Sequence, residues 1–143
     1  MSMRHDAVRD CTANLLRDAG CKDVRTEPEL LPVNPNKFKP RTNTTVGARL
    51  DVSARGVWST FERSFYDVRV THPNCLSNVG KPVASIYIEH QNSKKMEYEE
   101  RVIESEKGSF TPLIFTTSGG MGPEGSVGPE GSVFPRLHQL PQP

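Results

Sequence analysis

The sequence predicts an α/β domain in the order helix, strand, two hairpin strands, helix, strand. Three observations carry that prediction. One segment repeats its apolar residues at three- and four-residue steps, and another has a polar, helix-compatible composition. Four shorter runs are β-branched, alternating or continuously apolar. Clusters of Gly, Pro and Asn separate them. With 143 residues, 34% of them hydrophobic, the chain has material for a single modest core.

From His5 to Ala19, Val8, Cys11, Leu15 and Ala19 mark one helical face, with Asp6 near the start and Gly20 beyond the end. Val24 to Leu30 begins as a strand that Pro28 confines to an edge or a strand end. Pro32 to Asn43 has no apolar rhythm and reads as a surface connection, with Lys37, Lys39 and Arg41 available to touch phosphate. Thr44–Arg55 and Glu62–Thr71 are the best strands, joined as a hairpin through the turn region 56–60, and His72-Pro73 closes the second. Asn92–Glu106 is a helix stopped by Gly108, with Val83–Ile88 either part of it or not. Ser109–Thr117 is a last strand, apolar enough through its centre to be covered on both faces.

Residues 1–121 form the expected domain. Beyond them Gly122-Pro-Glu-Gly-Ser-Val127 repeats at once as residues 128–133, so residues 122–143 are a Gly/Pro-rich tail expected to be disordered. Cys11, Cys21 and Cys75 are odd in number and widely spaced, which indicates buried or half-buried thiols rather than a disulfide framework or a zinc site. No apolar run approaches the roughly 20 residues that span a bilayer, and Met1–Asp6 lacks a signal-peptide core, so the expectation is a protein inside the cell and off the membrane. A net charge of +1 advertises no polyanionic partner, and a nucleic-acid role would need a local patch. Ser118–Gly122 lacks the lysine and following helix of a phosphate loop.

Chemistry concentrates on the hairpin. In the first strand Val46, Ala48, Leu50 and Val52 alternate with Arg49, Asp51 and Ser53. In the second, Tyr66, Val68 and Val70 alternate with Phe65, Asp67, Arg69 and Thr71. Pairing the apolar faces on one core sends Asp51, Asp67 and Arg69 out of the same polar side. Two acids on the solvent face of a hairpin are equally well plain surface charge, and Asp67 with Arg69 an ordinary ion pair.

The element order matches the minimal core of the restriction-endonuclease-like fold, whose signature is Pro-Asp, a gap, then Asp/Glu-x-Lys. Leu50-Asp51 and Asp67-Val68-Arg69 resemble that signature in degenerate form. The longer string Ala48-Arg-Leu-Asp-Val52, Phe65–Val70, Lys94-Lys-Met-Glu-Tyr98, Arg101 and Ser109–Phe115 with Gly119-Gly120 resembles a nuclease domain near the C-terminal end of animal reverse-transcriptase-type mobile-element proteins. That resemblance covers about His5 to Glu124. It implies a central mixed sheet of about four strands flanked by helices, and metal-dependent cleavage of DNA rather than RNA. A mobile-element polymerase would be a partner, and the location nuclear if genomic DNA is the target.

The same resemblance makes Asp51 and Asp67 ligands of Mg²⁺ or Mn²⁺, with Glu27 the auxiliary acid and Glu29 second to it. Arg69 stands where lysine positions or deprotonates water, but arginine stays protonated and serves only as a phosphate clamp. Lys94 on the second helix is the candidate substitute for that lysine. Lys95, Tyr98 and Arg101 follow at helical spacing as nucleic-acid contacts, and Gln91 lies on the same helix one turn earlier. A solvated helix in which Glu97, Glu99 and Glu100 pair with the lysines explains these residues as well; His5 and Arg9, one helical turn apart, are further candidate nucleic-acid contacts that an exposed first turn explains equally. The competing function is a binding module for nucleic acid or protein that keeps the fold without the chemistry.

Overall fold

The computed structural model describes residues 4–72 and 80–116. The expected tail at 122–143, the Gly-rich stretch after Thr117 and Cys75 lie outside the described residues.

Helix α1 spans His5–Asp18, and its buried side chains are Val8, Thr12, Ala13 and Leu16. The buried face is thus rotated from the expected one, leaving Leu15 40% exposed and Cys11 exposed. Thr12 permits the rotation, because its hydroxyl donates to Val8 O at 2.8 Å and so enters the core satisfied. Gly20, at φ 87°, turns the chain, and Cys21 N donates back to Leu16 O at 3.0 Å.

Strand β1 is Lys22–Thr26 and β2 is Val52–Arg55. They pair antiparallel with an irregularity between Lys22 and Arg25, where Asp23 adopts φ 48°. The first hairpin strand is therefore much shorter than Thr44–Arg55. Residues 28–30 instead pair with residues 48–50 in a broken continuation of the β1–β2 ladder, with Leu50 N on Pro28 O, Leu30 N on Ala48 O, and a lone bridge between Glu29 and Arg49. Proline lacks the donor that a regular ladder needs there.

Strand β3, Arg63–Thr71, pairs antiparallel with β2, as the hairpin reading requires. Helix α2, Val83–Arg101, then includes the segment left open before Asn92 and passes into a π-helical turn at Val102–Glu106. Strand β4, Ser109–Thr116, runs parallel to β3. Gly108 sits where an added Cβ would lie 2.2 Å from Arg63 O, so only glycine lets the chain enter β4 this close to β3. Pro112 is tolerated because β4 is an edge strand.

The result is a four-stranded mixed sheet in the order β1-β2-β3-β4 with a helix on each face. Val8, Ala13 and Leu16 of α1 pack on Val52, Ala54, Tyr66, Val68 and Leu113. Tyr98 and Val102 pack on Leu30, Leu50, Phe65 and Phe110 across the sheet. Strand β3 is buried from Ser64 to Val68, so Asp67 sits in the interior rather than on a solvent face, and the strand opens to solvent at Arg69. Leu50 and Val52, expected to share a face, belong to opposite cores because the chain bends at Asp51.

Candidate active site

Val52 faces Tyr66 in the β2–β3 register, and one step further along places Asp51 opposite Asp67. Asp51 is where the ladder opens. Its N–H donates to Tyr66 O at 3.0 Å, and its Oδ2 accepts from Val68 N at 2.6 Å. The carboxylate is thereby pinned to the central strand by a charge-assisted hydrogen bond.

Asp67 lies within hydrogen-bonding reach of the Asp51 carboxyl and is only 7% exposed. Burial, and then the neighbouring Asp51 carboxyl, push its pKa up to about 7 against the pull of Lys94. Lys94 Nζ, reaching down from α2, lies 2.8 Å from Asp67 Oδ2. That is a close ion pair, and the buried oxygen accepts from no other group among the described residues, which leaves it one lone pair to spare. Burial works against the Lys94 charge, but Asp67 outweighs it and the pKa rises. The ammonium also lies 5.7 Å from the centre of the Tyr98 ring.

From the other side of the sheet, His5 Nε2 approaches Asp51 Oδ1 at 3.1 Å. Burial lowers the His5 pKa, but Asp51 and Asp6 together raise it above the ordinary value. No periodicity could announce this contact, since His5 precedes the helical face that periodicity reads.

The other expected site residues fall elsewhere. Arg69 is exposed on β3, and the cation at Asp67 is Lys94. Glu27 is tied to Asp51 through its backbone, N to O at 2.8 Å, while its half-exposed carboxylate faces Arg9 at 3.5 Å. Among the described residues no group of three or more metal-ligating side chains gathers.

Two expected nucleic-acid contacts are structural instead. Arg101 is fully buried, with its two terminal nitrogens donating to Asn43 O, Thr45 O and Leu31 O at 2.9–3.0 Å, and its burial keeps the remaining Nε from any phosphate. Tyr98 is buried against Phe110, and its hydroxyl accepts from Asn43 Nδ2 at 3.2 Å. Helical spacing was read correctly for both, but it pointed into the core rather than out of it. Lys95 is half-buried and lines a groove of about 480 Å³ with Lys39, Arg41, Met96, Glu99 and Glu100.

No protein-family model, curated protein sequence or solved structure matches the chain. No helix among the described residues is long and apolar enough to cross a membrane.

Proposed function

We propose that this chain is a restriction-endonuclease-like, metal-dependent DNA nuclease domain of mobile-element origin, cutting strands for the element's integration or removal. The observation that carries the reading is the buried Asp51–Asp67 carboxyl pair with Lys94 2.8 Å from Asp67. Two neighbouring carboxyls in a poorly solvated place hold a proton up to about neutral pH, and a divalent cation can take that proton's place. Mg²⁺ or Mn²⁺ fits the donor set, because it keeps several waters and takes part of its shell from substrate phosphate. The αβββαβ order and the mixed four-stranded sheet support the fold assignment.

Asp51 and Asp67 would hold the cation, which when bound neutralises charge on the reacting phosphate and makes its water more acidic. Asp51 is kept in place by Val68 N–H and His5. Lys94 takes the place of the signature lysine from α2. Its raised pKa keeps it an ammonium, so it acts as a phosphate clamp and an orienter of Asp67 rather than as a base. In this reading DNA is the partner, a mobile-element polymerase acts alongside, and the location is nuclear where genomic DNA is cut.

Supercoiled plasmid incubated with the protein and Mg²⁺ or Mn²⁺ is expected to be nicked, and Asp51→Ala and Asp67→Ala are each expected to abolish nicking. No nicking by the wild type, or nicking that survives both substitutions, sinks the reading. The second reading, a binding module without chemistry, is favoured by the exposed Arg69 at the signature lysine's sequence position. It predicts salt-sensitive DNA retention that is indifferent to the metal.

A further inference from the structure

Gln91 is 5% exposed, and its amide Nε2 is buried without a hydrogen-bond partner among the described residues. A buried donor left unpaired costs about 1–3 kcal/mol, so a folded protein that keeps one has a use for it. Its place in the fold says what the use is. Helix α2 lies along β3 with His90 Nε2 3.1 Å from Thr71 Oγ1 and Lys94 Nζ on Asp67, while Tyr98 packs in the same core as Phe65. Gln91 follows His90 and precedes Lys94 by one helical turn, so it falls between Thr71 and Asp67 on the helix face turned to the sheet. Lys94, one turn further along this helix face, meets Asp67 Oδ2, so the Gln91 donor and that buried acceptor flank the same stretch of β3. With Gln91 and Asp67 only 5% and 7% exposed, a group that bonds to both has to be as small as a water molecule.

We propose that Gln91 is a positioning residue whose side-chain N–H holds the attacking water beside Asp67. This inference rests on the nuclease reading above. The water accepts from Gln91 and donates to the Asp67 carboxylate, which leaves its second lone pair for the phosphorus. In the hydrolysis the water oxygen forms the new P–O bond and its proton passes to solvent. The P–O bond to the departing sugar oxygen breaks, and that oxygen takes a proton from solvent.

Gln91→Met keeps the volume and removes the amide, which separates this role from a structural one. The variant is expected to melt within a few degrees of the wild type, since the amide Nε2 bonds to no protein group among the described residues. Its affinity for a short duplex measured in Ca²⁺ is expected to be unchanged, while its Mn²⁺-dependent nicking rate falls about ten- to a hundredfold, the scale on which misplaced reactants slow a reaction. A variant that melts several degrees below the wild type has lost a structural hydrogen bond, and that overturns the inference. Equal nicking by variant and wild type overturns it too, while leaving the nuclease reading intact. A wild type that does not nick overturns both.

Discussion

At the scale of single residues the site turns on Asp67, a carboxyl whose pKa burial and Asp51 raise from 3.8 to about 7. Folding then favours its protonated form. The stability it contributes is fully present below pH 3.8, the unfolded value, and is lost as pH rises through about 7. The metal-free protein is therefore expected to lose melting temperature between pH 5 and pH 8, and Asp67→Asn to flatten that slope. His5, raised by Asp51 once burial is overcome, tilts the profile the same way, whereas His90, lowered by burial and Arg69, tilts it back. The difference between wild type and Asp67→Asn isolates the carboxyl, and parallel profiles for the two would show that Asp67 is not held neutral. Both aspartates were legible in the sequence as a pair on neighbouring strands. Their depth was not, because alternation gives the side of a strand on which a residue lies and says nothing of what covers that side.

At the scale of elements, what was legible followed from how local the deciding physics is. Helix α1 and strand β4 lie close to their expected bounds because Gly20 and Gly108 act within a turn. Residues 44–51 carry a strand pattern, but the start of the segment is decided by a distant partner: Arg101, 56 residues from Thr45, takes its carbonyl and holds the chain there as a loop. A buried guanidinium on carbonyls leaves no sign in the pattern around it, and Arg101 looked like any cation on a polar helix. Its removal is accordingly expected to be severe. Arg101→Met leaves the carbonyls of Leu31, Asn43 and Thr45 without their donor and should lower the unfolding free energy by about 3 kcal/mol or more in urea titration. Arg101→Lys should recover little, since one ammonium cannot reproduce a planar fork spread over three acceptors. A loss below about 1 kcal/mol for the methionine variant would mean that the loop is held by something else.

At the scale of the whole molecule, the sheet order brings the site together from parts far apart in the chain. The bend just before β2 and strand β3 supply the acids, the start of α1 supplies His5, and the β3–α2–β4 crossover swings Lys94 back over β3. A cation bound between Asp51 and Asp67 would tie these layers to one another and would bind only the folded chain. At a free-metal concentration 100 times the dissociation constant, such a ligand stabilises by about 2.7 kcal/mol. For a domain of this size that corresponds to roughly 10 °C in melting temperature, at about 4 °C per kcal/mol. Protons compete for the same carboxyl pair, so the shift on adding Mn²⁺ over a chelator control is expected to be larger at pH 8 than at pH 5. Asp51→Asn should remove most of it at both values, whereas Glu27→Gln, whose carboxylate faces Arg9, should change it little. A shift that ignores pH and survives Asp51→Asn would place the metal elsewhere on the surface. A shift equally sensitive to Glu27→Gln would mean that this side chain swings from Arg9 to join the pair when metal arrives, making the centre a three-carboxylate one.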